Sequence, residues 1–581
     1  MGDSLYSSSF EPSLTSEKVL VDGKILGEGE TAKQMIERVV TTLALAEVNH
    51  FGTDIDEARV LANEFGKLMD ERKIVMSTPV LTNAGRYADK PLSACTVPPV
   101  DLRGDLARVR KTIDQMHSEG MGTGFNFSDL EDPVAMLEYL NKVAIEGASS
   151  GREDRPVGNM GILSVHHPKI IDFVLRKKDA HRNGEIWKFN ISVDITDDFI
   201  RAYKDGADYA LSDGTLMNAK SVMDAIALSA HESGDPGLIF LDRLNMDNPT
   251  PGVGLYTSTA PCAEVGLAPG ESCQFGYINL GAYILENGEI DTAALTSTVH
   301  LMTRMLDNAL QISIKNYELT ENQLVMERKR KIGIGVCGVA DMLIKSGMPY
   351  ASEEGRTLVR DILALINYES KVASHELAKV RGSFLAMMDL FGCRYNDPNG
   401  FIEQKYGDSD TKYVSSKQWR DLGGVIRETK LLRNASTIAL PPTGRSGMVI
   451  DASTGIEPHF RLPETVLANL MQSLINDGIT DSAPIIQTAM TEGTINSMTD
   501  VPSHIQAVFA TAIHIAPEDH LKMVGAVRPV IDEAVSKTIN LPNETTRDQI
   551  VAMYLAAYEM GLKGITVFRD GCISYQPKEV K

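Results

Sequence analysis

The sequence predicts an α/β protein, a parallel sheet or barrel preceded by a small helical region, on three observations. Apolar runs of strand length recur between helical runs: NMGILSVHHPKIIDFVL, FNISVDITDDFIRAY, Gly237 to Asp242, Ile332 to Ile344, and Ser436 to Leu440 with the segment after it. Thr31 to Met76 instead carries apolar residues at helical spacing, Met35, Val39 and Leu43, then Val60, Leu61, Phe65, Leu68 and Met69. Finally, 581 residues at 43% hydrophobic content suffice for a core of the size that α/β barrels absorb as one unit.

In chain order, residues 1 to about 30 are polar and predicted to be partly ordered, and two or three helices follow. Asp54 and Asp56 suit a helix start, where the dipole favours negative charge. MSTPVLTNAGRYADKPLSACTVPPV is rich in turn formers and hydroxyls and places Cys95 in a short strand or loop. A helix at about 105 to 118 leads into EGMGTGFNFSDL, where Gly120, Gly122 and Gly124 allow close backbone approach. Residues 133 to 147 read as helix. His166 and His167 are adjacent, so on a strand their side chains diverge, and no metal site is expected. Gly333 to Gly338 matches G-x-G-x-x-G, but MERKRK precedes it where a dinucleotide fingerprint needs a buried strand. LPPTGRSGMVIDASTGIEPHF forms a donor-rich turn suited to phosphate if it opens a helix. Helices fill most of 461 to 560, and GLKGITVFRDGCISYQPKEVK closes the chain with a strand and a polar tail. The expected division is a helical region over 1–75, a catalytic domain over 76–560, and a C-terminal strand and tail over 561–581.

The balance of 57 basic and 78 acidic residues, net −21, argues against nucleic-acid or anionic-membrane partners while leaving small anions open. Six cysteines in so long a chain form no disulfide framework, and none shows C-x2-C spacing. With no signal-like N-terminus and no apolar run of about 18 residues, a soluble cytoplasmic protein is expected.

The stretch from Ala260 to Leu280, APCAEVGLAPGESCQFGYINL, stands apart. Pro261, Gly266, Pro269, Gly270 and Gly276 deny it a long helix or a regular strand, so Cys262 and Glu264 fall in an ordered loop. Loops held by a rigid scaffold carry chemistry disproportionately often, although an isolated cysteine is more often a small buried hydrophobe.

Taken in order, STPVLTNAG, LSAC, GTGFNFS, NMGILSVHHP, FNISVDITDDF, PCAEVGL, SCQFGYINLG, GIGVCGVADML, PTGRSGM, STGIEPHF and KGITVFRDG resemble the large catalytic subunit of ribonucleotide reductases, closest to the adenosylcobalamin-dependent class II enzymes. The resemblance spans about residues 70 to 572. It implies a ten-stranded α/β barrel whose central finger loop is the stretch holding Cys262. It further implies that Cys262 carries a transient thiyl radical that abstracts the 3′-hydrogen of a ribonucleotide. Glu264 would then act as general base on the 3′-hydroxyl, and Cys95 with Cys273 would supply a proton and two electrons, ending as a disulfide. By the same resemblance Thr78, Ala94, Cys95 and Gly122 line the nucleotide, Ala260 occupies a substrate-facing finger position, and Pro442, Thr443, Gly444, Arg445 and Ser446 form the diphosphate turn. Cys337 and Cys393 match no catalytic position and are expected to be structural.

Where class I subunits relay the radical through a tyrosine pair, this chain reads GITVFRDG with Phe568, which implies adenosylcobalamin as the radical source. An external thiol reductant such as thioredoxin is the implied partner, with a monomer or homodimer as the assembly. The chain also departs from the family. Ala260 stands where N-x-C-x-E has asparagine, and Arg445 and Gly447 stand where small hydroxylated residues are usual. The connection from Ser128 to Asn159 is shorter than the loop that helps bind an allosteric effector, and the tail has only Cys572 where a cysteine pair is common. Two further readings therefore accompany ribonucleotide reduction: a paralogue doing the same radical chemistry on a modified nucleotide or nucleoside, and a catalytically silent nucleotide-binding barrel.

Overall fold

A computed structural model describes residues 4–149 and 157–572. Three helices open the chain, Leu14–Asp22, Ala32–Phe51 and Ile55–Asp70. Thr31 starts the second through a capping box with Gln34, and the Asp54 carboxylate starts the third by accepting the Asp56 N–H. Their apolar stripes, including Met35, Val39, Leu43, Leu61 and Phe65, are buried in the largest core cluster. The first helix lies in the stretch expected to be only partly ordered. Nine residues seldom hold a helix alone, and here tertiary contact supplies the difference: Leu20 is buried, and the Ser16 hydroxyl donates to the Val449 carbonyl at 2.7 Å.

The barrel is built from two halves. Cys95–Thr96, Gly122–Asn126, Asn159–Ser164, Phe189–Asp194 and Gly237–Ile239 pair in parallel in that order. In the second half Phe275–Asn279 pairs in parallel with Gly333–Cys337. Parallel bridges Ile334 to Ile438 and Leu440 to Val535 continue it through the extended segment 436–440, and Thr538–Leu541 pairs in parallel with Gly564–Arg569. Antiparallel pairing closes the ring twice, Ser272–Cys273 against Cys95–Thr96 and Gly564–Arg569 against Gly237–Ile239. Ten strand positions result, the architecture that the resemblance implies. A short strand, Ile74–Met76, adds antiparallel to the Phe275–Asn279 strand.

Helices cover the outside, so strands such as Gly333–Cys337 are buried along their whole length and read as apolar runs with no alternation. This also explains the G-x-G-x-x-G match, because Gly333 and Gly335 are barrel positions packed against Phe275 and Pro441, with no phosphate loop. The Gly564–Arg569 strand, expected to stand with the tail, is the tenth barrel strand, and residues 573–581 lie outside the described residues. His166 and His167 sit in the turn after the third strand. They do diverge, His166 to the Ala210 carbonyl and Thr196, His167 to the Leu130 carbonyl.

The helical region is fastened to the barrel by a buried charge cluster. Arg330, Arg381 and Arg433 converge on Asp307, and Arg381 also reaches Glu47 of the second helix. Burial alone would raise the Asp307 carboxyl; the three guanidiniums hold it well below the usual range.

Candidate active site

The centre of the barrel is filled by a hairpin. Ser258–Thr259 and Gly266–Leu267 pair antiparallel, and the Ala260 N–H donates to the Val265 carbonyl at 3.0 Å, closing a tip that holds Cys262 and Glu264. Ala263, between them, has φ of 63°, a left-handed conformation uncommon for a residue with a Cβ, and this turns the two functional side chains to different surroundings. Cys262 is exposed, whereas Glu264 is 5% exposed.

Both halves of the barrel grip this finger. From the first half, the Asn126 amide donates to the Thr257 carbonyl at 2.8 Å, Ser258 donates to the Phe125 carbonyl, and the Asn190 amide donates to the Pro261 carbonyl at 2.8 Å. From the second half, the Ala534 N–H donates to the Glu264 carbonyl at 3.0 Å. Glycines supply the room: a Cβ on Gly124 would lie 2.1 Å from the Thr259 carbonyl oxygen, and one on Gly122 would lie 2.8 Å from the Pro261 ring.

Cys95 and Cys273 stand directly opposite each other where the antiparallel strands join. Such pairs hold their Cβ atoms about 5 Å apart, and a disulfide needs Cα atoms roughly 4.4 to 6.8 Å apart, so a bridge requires only small rotations. Neither is disulfide-bonded in this structure, and both are buried. Burial pushes both thiols well above their ordinary range, and Cys95 is raised further by Glu264, Cys273 and Cys262, while Lys331 pulls both thiols back down. Burial also pushes the Glu264 carboxyl up to about 7, against the backbone N–H groups of Glu264 and Cys262, and its Oε2 has no hydrogen-bond partner among the described residues. A carboxyl that titrates near neutrality, with a spare oxygen beside an exposed thiol, suits proton abstraction.

The remaining predicted positions divide. Thr78 opens the helix Thr78–Asn83, and its hydroxyl lies 3.5 Å from that of buried Ser446, so two distant segments meet. Ala94 is half-buried, packs against the main core, and its backbone donates to the Cys273 carbonyl and accepts from Gly122. Ala260 is fully buried. The turn does open a helix, Gly444–Val449. Pro442 is exposed and Gly444 has open space where a Cβ would go, but the Thr443 hydroxyl is engaged inside the turn, accepting the Gly455 N–H at 2.8 Å. Arg445 is exposed and forms no ion pair among the described residues. The acidic side chain six residues on, Asp451, is taken by Arg72 at 3.5 Å and by the Ser13 hydroxyl. Cys337 and Cys393 are buried, and burial pushes the Cys393 thiol up to about 12. Phe568 packs at Gly234, where an outer helix ends.

The sequence profile described as ribonucleotide reductase, barrel domain, matches residues 93–568, and that described as ribonucleotide reductase, all-alpha domain, matches residues 10–88. The chain belongs to the ribonucleotide reductase large-subunit family. Its curated relatives include a vitamin B12-dependent ribonucleoside-diphosphate reductase of Mycobacterium tuberculosis, 31% identical over 98% of this chain and 80% of the relative. One of the same description from Thermoplasma acidophilum is 34% identical over 87% of this chain and 65% of the relative. Among solved structures, the Actinobacillus ureae class Id ribonucleotide reductase alpha subunit superposes with a TM-score of 0.74 at 18% identity, covering 97% of this chain and 98% of that one, a likeness of fold.

Within this reductase barrel, sequence reasoning passed over Asn190 and Lys331. Asn190 is an exposed position in a strand otherwise largely buried, a contrast invisible without knowing which strand face lines the interior. Lys331 lies in MERKRK, which reads as a solvated charge run; the fold buries Lys329 and Lys331 completely. Among the described residues no group of three or more His, Cys, Asp or Glu is placed to hold a metal ion, and no helix is long and apolar enough to cross a membrane.

Proposed function

We propose that this chain is a class II-like ribonucleotide reductase that replaces the 2′-hydroxyl of a ribonucleotide by hydrogen. The observation that carries the reading is the direct opposition of Cys95 and Cys273 beside a finger presenting Cys262 and Glu264. Cobalamin is the cofactor in keeping with the vitamin B12-dependent relatives, and its adenosyl form is the one proposed. The residues suit it in one checkable respect: the Cys262 thiol is the exposed member of the four groups, with exposed Gly158 and Asn190 nearby, so a bulky group has access to it. When bound, the cofactor supplies the radical chemistry that removes a hydrogen atom from Cys262.

The Cys262 sulfur then takes the 3′-hydrogen of the substrate, and Glu264 accepts the 3′-hydroxyl proton. The 2′-hydroxyl leaves as water with a proton from the cysteine pair. Two electrons from Cys95 and Cys273 reduce the sugar as their S–S bond forms, the pair's other hydrogen goes to C2′, Glu264 returns its proton to the 3′ oxygen, and Cys262 returns its hydrogen to C3′. An external dithiol reduces the disulfide, so one dithiol is consumed per deoxynucleotide and water formed. Thr78, Ala94, Gly122 and the 442–446 turn are the proposed substrate-binding positions. Incubating the protein with adenosylcobalamin, dithiothreitol and a panel of ribonucleotides, followed by mass analysis, should yield 2′-deoxynucleotides; no deoxygenated product from any of them would overturn the reading. A second reading, the same chemistry on a modified nucleotide, is favoured by Ala260, which offers no polar group at the finger, and by exposed Arg445 beside the turn, which forms no ion pair among the described residues.

A further inference from the structure

A closed group of four charges lies under the finger. Lys331 Nζ stands 2.9 Å from Glu271 and 3.0 Å from Glu533, and Lys329 stands 2.5 Å from Glu271. Lys331 also donates to the Tyr256 hydroxyl at 2.9 Å and to the Gly266 carbonyl at 2.7 Å, while Glu533 accepts the Gly266 N–H. Both backbone polar groups of Gly266, at the base of the finger, are thus held by a buried ion pair. Breaking such a pair from one side leaves an uncompensated charge.

The same lysine lies behind the redox strand. Phe275 is matched with Gly333 in the parallel register and the Gly333 N–H donates to the Gln274 carbonyl at 2.9 Å, so the chain entering that strand from Lys331 runs alongside the chain leaving Cys273. A Cβ on Gly333 would lie 3.1 Å from Cys273 Sγ, so the sulfur rests on the strand that Lys331 leads into. The two thiols therefore differ in their surroundings. Burial raises both, but the largest charge acting on Cys273 is Lys331, which pulls it back down, whereas for Cys95 it is Glu264, which pushes it further up.

We propose that Lys331 is a positioning residue of the redox pair, the counter-charge for the thiolate that Cys273 becomes when the Cys95–Cys273 bond opens, so that an external thiol attacks Cys95. The inference rests on the proposed reading of the two cysteines. In the step, the attacking thiolate forms a mixed disulfide with Cys95, the S–S bond breaks, and its electron pair goes to the Cys273 sulfur beside the ammonium. A sulfur better able to carry charge leaves faster.

The test uses the whole enzyme after one turnover without reductant. Reduction of the disulfide by dithiothreitol is timed in the wild type, in Lys331→Met, and in Lys331→Met with Glu533→Gln, which keeps the cluster balanced while removing the cation. Glutathione then captures the mixed disulfide for peptide mapping. Both variants should reduce more slowly, by on the order of tenfold, and glutathione, confined to Cys95 in the wild type, should divide between the two cysteines. Should Lys331→Met fail to fold, the balanced double variant decides alone. Wild-type rates with glutathione still confined to Cys95 would overturn the inference and leave the reductase reading standing. Absence of a Cys95–Cys273 disulfide in the wild type after product forms would instead overturn the reading beneath it.

Discussion

Replacing Gly124 with alanine places a methyl group 2.1 Å from the Thr259 carbonyl oxygen and 2.9 Å from the Ser258 hydroxyl. A carbon and a carbonyl oxygen come no closer than roughly 3.3 Å in comfort, so something must yield by about 1 Å. Gly124 is fixed in its strand by parallel pairing with Met160, whereas Thr259 belongs to a two-residue strand of the finger, so the finger gives. Overpacking of this kind costs about 1–3 kcal/mol, and displacing a reacting group by about 1 Å costs on the order of 100-fold in rate. The expected Gly124→Ala protein is folded, melts a few degrees lower, and turns over ribonucleotide about 100-fold more slowly, with substrate affinity much less affected. Gly122→Ala meets the Pro261 ring at 2.8 Å, which can pucker away, and the Gly158 carbonyl oxygen at 3.0 Å, a milder overlap than that at Gly124, so its loss should be smaller. Wild-type turnover in Gly124→Ala, with an unchanged melting curve, would refute the central placement of the finger.

Cys262→Ser should bind nucleotide yet form no deoxynucleotide, because an O–H bond is too strong for the oxygen to take part in the hydrogen transfer; equilibrium binding and product analysis together check this, and measurable turnover would refute the assignment. With the Glu264 carboxyl pushed up to about 7 by burial, the base is in its active form only above that pH. Accordingly kcat/KM should fall about tenfold per unit below it, and a flat profile between about pH 5.5 and 8 would remove Glu264 from that role. The same shift acts on stability: the native state holds a proton that the unfolded chain releases above the ordinary 4.5. Stability should thus decline as pH rises from about 4.5 to 7, a slope that Glu264→Gln removes in denaturation series. Arg445→Thr, compared with the wild type on mono-, di- and triphosphates, should shift the phosphate preference; an unaltered diphosphate preference would reduce Arg445 to a solvated side chain.

Periodicity determined much of this protein by itself. The helical stripe of Met35, Val39 and Leu43 and the apolar run of Gly333–Cys337 each state a local geometry and a buried face, because side-chain direction follows from backbone repeat. Punctuation by Pro261 and Gly266 likewise marked the finger as a loop, and the order of the motifs carried the barrel and the identities of Cys262, Glu264, Cys95 and Cys273 by resemblance. Which faces meet is a non-local matter. The opposition of Cys95 and Cys273 depends on an antiparallel closure between segments far apart in sequence, and the approach of Thr78 to Ser446 on the two being brought to the same end of the barrel. Only tertiary structure could withdraw Asp451 from Arg445, since Arg72 and Ser13 reach it from elsewhere. Lys331 is the sharpest case: in sequence it belongs to a charged run that water would solvate, and it is buried because Glu271, Glu533 and the Gly266 carbonyl, none of them its neighbours in the chain, converge on it and replace that water.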